Sequence, residues 1–302
     1  MNDKKNDFSV SVVVPFYNRS KYLKRLLDSV YDQSCVVSAV FVIDNGSDPD
    51  DAEIAWSIIN DHSISNVCCF VSTTKCGNAN YARNLGYNYS TSRFVAYLDS
   101  DDWWEPGHLV RSINLLERTG KAGCYSGAII HTPEGKRIAR SVDIDTVGCP
   151  FKFFFSGCGG SAQTSSFVVS KEIIKDSVEW DENLKRSQDH DYFISIQTKT
   201  VGWVYKAEAN YNIDWEQGGT QGPVDADSIV SFYKKWSSEF PRGLELRFIL
   251  KYISVFEARG MNEKVEKLVE SVSFSWINRI VLSGPVLYSL RLFLRLRLKL
   301  RS

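Results

Sequence analysis

The sequence RFVAYLDSDDWWEP, residues 93–106, carries the strongest indication of both the fold and the chemistry of this chain. Arg93–Leu98 is predicted to be a short strand, because its apolar run without polar alternation is typical of a strand buried on both faces of a parallel sheet. Three carboxylates follow at once: Asp99, Asp101 and Asp102. Carboxylates this close repel one another, and oxygen ligands favour a hard divalent cation such as Mg²⁺ or Mn²⁺. The sequence predicts a cation shared with substrate phosphates, with an exposed acidic turn as the alternative.

The chain before this stretch alternates between predicted strands and helices. Val10–Val14, Val36–Ile43 and Val67–Val71 are predicted to be the first three strands, and Pro15 is expected to end the first of them. Apolar residues at helical spacing predict helices between them. This alternation is typical of a doubly wound α/β sheet, whose ligands bind at the carboxyl ends of the strands. Neither a dinucleotide-binding Gly-x-Gly-x-x-Gly motif nor a P-loop is present, which argues against a dehydrogenase and a P-loop kinase.

Composition argues against several other classes of protein. The 302 residues contain 36 Lys and Arg and 36 Asp and Glu, so no net charge indicates nucleic acid as a partner. The 7 cysteines form no Cys-x-x-Cys pair, which predicts neither a disulfide framework nor a zinc site. No apolar run reaches the ~18 residues of a spanning helix, and the charged N-terminus leads straight into a strand without a signal peptide. We therefore expect a cytoplasmic protein.

The second half of the chain is less regular. The aromatic and glycine-rich segment Pro150–Ser161 is predicted to be a binding loop. Residues 187–191 are expected to lead into an amphipathic helix, and the chain is expected to be mostly helical from Val230. The further predicted strands are Cys124–His131, Arg137–Val142 after a hairpin turn, Ser165–Ser170 and Val201–Tyr205.

Taken together, these motifs resemble the family 2 glycosyltransferases. The matching stretches are VSVVVPFYN (10–18), VIDNGSD (42–48), GNANYARNLG (77–86), YLDSDDWWEP (97–106), WDENL (180–184) and SQDHDYFISI (187–196), followed by a glycine-rich loop after residue 211. The resemblance implies a GT-A fold, an α/β doubly wound mixed sheet. Residues 8–110 would form the nucleotide-binding half and residues 111–229 the acceptor half with the catalytic base. Residues 230–302 would form a helical C-terminal region.

The resemblance also implies a nucleotide-sugar site at the carboxyl edge of the sheet. Its residues would be Pro15, Tyr17, Asp44, Asn45, Arg83, Asp99 and Ser100. Two alternatives stay open, in which Asp44 is a helix cap and Arg83 fixes the loop before Asp99 as an ion-pair partner. Asn45 departs from the acid that the family usually has there. Because an amide both donates and accepts hydrogen bonds, the carrier of the donor sugar is expected to be either UDP or dTDP, which presents the same base edge.

For the metal, the resemblance implies that Asp101 ligates Mn²⁺ or Mg²⁺, with Asp99 near both the metal and the ribose. The family often has a histidine ligand in its late loop, which this chain lacks. Asp214, Glu216 or water would complete the metal shell instead.

For the chemistry, the resemblance makes Asp189 the general base. At a helix start, the free N–H groups and the helix dipole favour the ionised carboxylate. Gln188 replaces the family's usual acid, so no adjacent like charge is expected to raise the pKa of Asp189. In the alternative, Asp189 serves only as the helix N-cap. The ring of His190 is expected to point off the helix, and Asp191 is the next candidate for the base.

The implied reaction is inverting transfer of a sugar from a nucleotide-diphosphate sugar to a hydroxyl of a saccharide or lipid-linked glycan, in cell-surface polysaccharide or lipopolysaccharide synthesis. Two alternatives compete with it. A nucleotidyltransferase would carry a Gly-rich basic loop after the first strand, where this chain has Pro15–Asn18. A non-catalytic nucleotide-sugar-binding homologue would need no base.

The C-terminal tail, residues 284–302, has leucines alternating with arginines and a lysine. Wound into a helix, it would place a narrow apolar arc among basic side chains, which is typical of an anchor on an anionic membrane surface. The sequence therefore also predicts peripheral attachment to the inner face of the cytoplasmic membrane. The alternative is a helix that packs on its own domain.

Overall fold

The structure is a computed structural model that describes residues 8–33, 37–74, 78–215 and 225–271. The chain divides into two units, one up to residue 222 and one from residue 223. The strands are β1 (Val10–Phe16), β2 (Val37–Asp44), β3 (Cys68–Ser72), β4 (Phe94–Tyr97), β5 (Trp103–Trp104), β6 (Gly123–Thr132), β7 (Gly135–Ala139), β8 (Val168–Ser170) and β9 (Trp203–Asp214).

The helices of the first unit are α1 (Ser20–Tyr31), α2 (Pro49–Asp61), α3 (Ala79–Tyr89), α4 (His108–Thr119), α5 (Ile144–Val147), α6 (Pro150–Phe155), α7 (Lys171–Ile174) and α8 (Gln188–Lys199). Two short 3₁₀ turns, Ser65–Val67 and Thr164–Ser166, add to them. Those of the second unit are α9 (Ala226–Trp236), α10 (Arg242–Glu257) and α11 (Asn262–Ser271).

The nine strands of the described residues form one mixed sheet in the order β3-β2-β1-β4-β8-β6-β9-β5, with β7 paired to β6. The first four strands are parallel to one another, β8 is antiparallel to both of its neighbours, and β9 runs parallel to β6. Helices connect the parallel strands, as the crossover between parallel neighbours requires. The predicted α/β architecture with a mixed sheet is confirmed.

The sheet is buried on both of its faces. In β4 the side chains of Phe94 and Ala96 belong to one apolar cluster, and those of Val95 and Tyr97 belong to another. Because successive side chains of a strand point to opposite faces, the two clusters lie on the two sides of the sheet. The apolar run of β4 is therefore buried on both faces of the sheet, as the sequence predicted.

Strand β1 does not end at Pro15 as predicted but continues to Phe16. Its pairing with β4 stops at Val13, whereas its pairing with β2 continues to Phe16 opposite Asp44. The carbonyl oxygen of Phe16 accepts a hydrogen bond from the β2 side. The backbone nitrogen of Pro15, one residue earlier, therefore points to the β4 side, where the ladder has already ended. A proline is compatible with a strand where no ladder bond is needed.

Three segments of the second half also differ from prediction. Residues 150–155 form helix α6 rather than a loop, because Pro150 suits the first helical turn and Phe151 and Phe153 pack into the core. Strand β9 continues to Asp214 instead of ending at Tyr205, since it pairs along most of β6. The predicted strand at 165–170 begins as the 3₁₀ turn Thr164–Ser166 and becomes β8 only at Val168.

The second unit is helical, as expected for the chain after Val230. Its core is aromatic, with the rings of Phe232, Tyr233, Phe240 and Phe248 in mutual contact. The boundary that we expected after residue 229 falls inside α9. None of the described helices is both long and apolar enough to cross a membrane. The tail, 284–302, lies outside the described residues.

Candidate active site

Two loops that follow parallel strands are joined at the carboxyl edge of the sheet. The backbone N–H of Asn45 donates to the carbonyl oxygen of Phe16 at 2.9 Å. Asn18 has a left-handed backbone, with φ of 49°. Its side chain donates to the carboxylate of Asp48 and accepts from the backbone N–H of Asp48, both at 2.8 Å. The loops after β1 and β2 are therefore joined into one unit at the carboxyl edge of the sheet.

The predicted nucleoside residues lie at the ends of β1 and β2 and in the loop that follows β1. Pro15 and Asp44 are buried, whereas Tyr17 is 38% exposed. The carboxylate of Asp44 accepts the backbone N–H of Ser47 at 2.9 Å, which closes a turn of the loop before α2. The N-cap residue of α2 is Asp48, so the helix-cap alternative for Asp44 is wrong. The Nδ2 of Asn45 donates to the carbonyl oxygen of residue 78 at 2.8 Å, so the acceptor that this amide can offer to a base N–H is its oxygen.

The three carboxylates of the acidic turn after β4 differ in their surroundings. Asp99 and Asp101 are partly exposed, with 34% and 39% of their side-chain surface accessible. Asp102 is partly buried and accepts a hydrogen bond from Ser165 Oγ at 2.5 Å. Burial, together with the charges of Asp101 and Asp99, raises the pKa of Asp102 well above its usual range. The raised pKa favours the protonated form of Asp102, so Asp99 and Asp101 are the carboxylates of the turn that are candidates to bind a cation. Ser100, between them, is buried.

Arg83 connects this turn to helix α8. Its Nη2 donates to Asp99 at 2.7 Å, and its Nη1 donates to Asn80 at 2.9 Å and to Gln188 at 3.1 Å. The guanidinium lies 4.5 Å from the ring centre of Trp180 and is 4% exposed. A buried, planar guanidinium group holds its hydrogen-bond partners in fixed directions. The structure thus places Arg83 in the ion pair with Asp99 that the loop-fixing alternative describes.

Asp189 lies in the first turn of α8, where the residue that caps the helix is Ser187. The N-cap alternative for Asp189 is therefore wrong. The carboxylate accepts a hydrogen bond from Thr164 Oγ1. Burial raises the pKa of Asp189 to about 6, against the opposing effects of Arg83 and Thr164. Our expectation that the helix start would keep this pKa low is also wrong, because desolvation exceeds the local effect of the helix terminus.

The neighbours of Asp189 on α8 face the interior. Asp191 is 1% exposed. The ring of His190 packs against Phe154, with 4.3 Å between ring centres, and against Phe155. His190 thus points off the helix as expected, and Asp189 lies close enough to Arg83 and Asp99 for their charges to shift its pKa.

The 3₁₀ turn Thr164–Ser166 joins the candidate base to the acidic turn, and sequence reasoning missed it. Ser165 Oγ accepts the backbone N–H of Asp99 at 3.1 Å and donates to Asp102. The carbonyl oxygen of Ser165 accepts from the indole N–H of Trp104 at 2.7 Å. With Thr164 bound to Asp189, both halves of the site depend on two adjacent hydroxyls. The one signal in the sequence is a run of small polar residues where a buried strand was expected.

Two arginines after β1 were also missed, Arg19 at the N-cap of α1 and Arg25 within α1. Arg19 forms an ion pair with Asp101. Arg25 donates to the carboxylate of Asp214 and to the carbonyl oxygen of Asp101, both at 3.0 Å, and lies 3.7 Å from the ring centre of Trp103. Asp214, expected as a substitute metal ligand, is therefore bound to an arginine. Glu216, the other candidate, lies outside the described residues.

The donor set of the acidic turn fits a hard divalent cation that the protein binds only in part. In the described chain, no three His, Cys, Asp or Glu side chains converge on one metal position. Asp101 and Asp99 offer carboxylate oxygens, and the guanidinium of Arg19 shows that positive charge is accommodated at Asp101. The remaining ligands would come from a diphosphate and water.

Comparison with known proteins identifies the family. The sequence model described as "Glycosyl transferase family 2" matches residues 11–169. The chain belongs to this family. It is 29% identical over 216 residues to the amylovoran biosynthesis glycosyltransferase AmsB of Erwinia amylovora, a match that covers 68% of this chain and 70% of AmsB. It is 23% identical over 251 residues to the minor teichoic acid biosynthesis protein GgaB of Bacillus subtilis, covering 78% of this chain but 27% of GgaB.

Solved structures confirm the fold that the motifs predicted. The crystal structure of S. aureus TarS 1–349 in complex with UDP-GlcNAc superposes with a TM-score of 0.64 at 15% sequence identity, and covers 87% of this chain and 79% of that one. The match to the longer TarS structure has a TM-score of 0.57 and spans 46% of TarS. At this level of identity the likeness concerns the fold alone. The predicted GT-A architecture is thereby confirmed.

Proposed function

We propose that this glycosyltransferase moves a sugar, with inversion, from a nucleotide-diphosphate sugar to a hydroxyl of a saccharide or lipid-linked glycan. One observation carries the proposal: Arg83 and the turn Thr164–Ser166 bind the carboxylate Asp189 and the acidic turn into a single site at the carboxyl edge of the sheet. Ligands of open α/β sheets bind at that edge.

In the proposed mechanism, Asp189 takes the proton of the attacking hydroxyl as its oxygen bonds to the anomeric carbon on the face opposite the diphosphate. With a pKa of about 6, Asp189 is largely ionised at neutral pH and is more basic than an ordinary aspartate. Thr164 orients its carboxylate. When bound at Asp101 and Asp99, Mn²⁺ or Mg²⁺ supplies positive charge that offsets the charge of the departing diphosphate.

The class of acceptor is inferred from the relatives. AmsB is named for amylovoran biosynthesis and GgaB for minor teichoic acid biosynthesis. WfaP of Escherichia coli, 28% identical over 121 residues that cover 40% of this chain and 46% of WfaP, is named a UDP-Glc:alpha-D-GlcNAc-diphosphoundecaprenol beta-1,3-glucosyltransferase. These names support an acceptor in cell-surface polysaccharide synthesis, either a glycan or a lipid-linked saccharide.

The proposal is tested with a panel of nucleotide-diphosphate sugars and a diphosphoundecaprenyl-linked saccharide acceptor. Transfer is followed by mass spectrometry, and the anomeric configuration of the product is read by NMR. We expect the anomer opposite to that of the donor. A product that retains the donor's configuration would refute inversion, whereas binding of the donor without transfer to any acceptor would favour a binding protein.

Asn45 motivates a prediction about the donor base. Because its amide oxygen can accept the N3–H that uracil and thymine share, we expect dTDP to bind within about tenfold of UDP, a difference of roughly 1.4 kcal/mol. Calorimetric titration of both nucleotides in the presence of Mn²⁺ measures this ratio. A strong preference for GDP over both would show that the pocket has been assigned wrongly.

The tail motivates a proposal about the membrane. We expect residues 284–302 to attach the protein to anionic lipid at the inner face of the cytoplasmic membrane, because their leucines and basic residues alternate. A variant that ends at Ser283 should lose sedimentation with vesicles that contain phosphatidylglycerol. Neutral phosphatidylcholine vesicles are the control and should bind neither form. Equal binding of both forms to the anionic vesicles would reject the proposal that the tail is a membrane anchor.

A further inference from the structure

Arg19 occupies the carboxylate that the proposed function assigns to the cation. Its Nη1 pairs with Asp101 Oδ2, and both side chains are partly exposed, at 43% and 39%. An ion pair between exposed groups is screened by water and is easily exchanged for another partner. Asp101 therefore carries a positive group that a stronger cation can displace.

The backbone of Arg19 is held in place on both sides, so an exchange of partners concerns the side chain. Asn18 before it is bound to Asp48 and, through its backbone N–H, to Ser47 Oγ at 2.9 Å. Ser20 after it begins α1, and its hydroxyl donates to Asp51 at 2.6 Å. A long side chain on a fixed backbone can turn between two nearby partners without unfolding the loop.

Arg19 differs in this respect from the two other arginines of the site. Arg83 is buried and binds three side chains. Arg25 is stacked on Trp103 and holds both Asp214 and a backbone carbonyl. Both have several partners that would be lost if they moved. Arg19 is the more exposed of the three and holds Asp101 through a single salt bridge.

The charges around the acidic turn are balanced in pairs. Asp99 pairs with Arg83, Asp101 with Arg19, and Asp214 with Arg25. A divalent cation bound alone would add positive charge next to Arg19, and a diphosphate bound alone would add negative charge next to Asp101. Bound together, the two additions offset each other. The electrostatics of the site therefore favour joint binding of the cation and the nucleotide.

We propose that Arg19 and the divalent cation compete for Asp101, and that Arg19 turns to the donor diphosphate when the cation takes its place. The inference rests on the proposed function, which supplies both the cation and the diphosphate. Arg19 is then a positioning residue that couples the two binding events. By linkage, the nucleotide raises the affinity for the cation by the same factor as the cation raises the affinity for the nucleotide.

The test measures Mn²⁺ binding to the full chain by electron paramagnetic resonance of free Mn²⁺, with and without UDP. For the wild type, we expect UDP to raise the affinity for Mn²⁺ at least about tenfold. Arg19→Gln should bind Mn²⁺ alone at least about threefold tighter and UDP alone more weakly, so that the coupling factor falls. Arg111→Gln is the matched control, because its guanidinium is similarly exposed, at 41%, but pairs with Glu208.

The outcomes separate this inference from the proposed function. If Arg19→Gln binds Mn²⁺ alone no more tightly than the wild type does, the competition is refuted even when coupling in the wild type is observed. If the wild type binds no Mn²⁺ with UDP present, the proposed cation is refuted and the inference with it, while UDP affinity and transfer still report on the enzyme. Arg19→Lys keeps the charge and should retain most of the coupling, and loss of coupling in that variant would also count against the exchange.

Discussion

Replacing Asp189 by asparagine is expected to lower the rate of glycosyl transfer at least ~100-fold, the low end of the effect of a general base. Asparagine fits the same position in α8 and can still accept the hydrogen bond from Thr164, but it cannot take a proton. The affinity for UDP should stay near that of the wild type. Transfer rates under donor saturation, together with calorimetry, measure both. If the variant keeps more than about a tenth of the wild-type turnover, the base lies elsewhere.

The stability of Asp189→Asn provides an independent check. Because the folded protein raises the pKa of Asp189 to about 6, the folded state binds more protons than the unfolded state between the ordinary aspartate pKa and pH 6. Stability therefore falls as the pH rises through this window, and the ionised carboxylate destabilises the fold above it. Asparagine removes this cost, so thermal melting at pH 7.5 should be no lower than for the wild type. A clearly lower melting temperature would mean that the carboxylate has a structural role.

The same carboxylate sets the expected pH dependence. The value of kcat/KM should rise between pH 5 and 7 with a midpoint near 6, since the base acts when deprotonated. Thr164→Val removes a hydrogen bond that lowers the pKa of Asp189, so the midpoint should move to higher pH, whereas Thr164→Ser should restore it. Thr198→Val is the control, because that hydroxyl bonds within α8 to Ile194. If the midpoint of Thr164→Val equals that of the wild type, the pH profile does not report the pKa of Asp189.

The second large effect is expected at the acidic turn. Asp101→Ala should abolish both donor hydrolysis and transfer, because the departing diphosphate would lose the charge of the cation that Asp101 binds. The fold should be intact, since the side chain of Asp101 is partly exposed and its ion pair with Arg19 is at the surface. Circular dichroism and thermal melting check the fold, and release of UDP checks the chemistry. Full wild-type activity in excess EDTA would refute the requirement for a divalent cation.

The neighbouring Asp102 provides the matched control for this prediction. Burial and the charges of Asp101 and Asp99 raise the pKa of Asp102 well above its usual range, which favours its neutral form. In Asp102→Asn the neutral amide oxygen can still accept the hydrogen bond from Ser165 Oγ. We expect this variant to lose less than about tenfold in turnover, against the complete loss in Asp101→Ala. Equal losses in the two variants would mean that the turn acts as a structural unit and that Asp101 has no separate role.

The sequence by itself determined the architecture and the two acids on which the proposed chemistry depends. The apolar run of β4 required burial on both faces, and the alternation of strands and helices required a mostly parallel arrangement of the first four strands. Both are properties of neighbouring residues, because the periodicities of strand and helix are local. Asp101 was singled out by the cluster of carboxylates after β4, whereas Asp189 was assigned through the resemblance of residues 187–196 to the family's motif.

Only the tertiary structure decided how these acids are held and charged. Arg19 lies 82 positions before Asp101 in the chain, and Thr164 lies in a segment with no motif, so nothing local predicts either contact. The full length of strand β9 could not be predicted for the same reason. Its polar residues Lys206 and Asn212 are buried, which interrupts the apolar pattern of a strand, and its extent is set by pairing with β6. The pKa of Asp189 shows the physical cause most directly. The local helix start favours the ionised form, but desolvation depends on every segment that covers the carboxylate, and it outweighs the local effect.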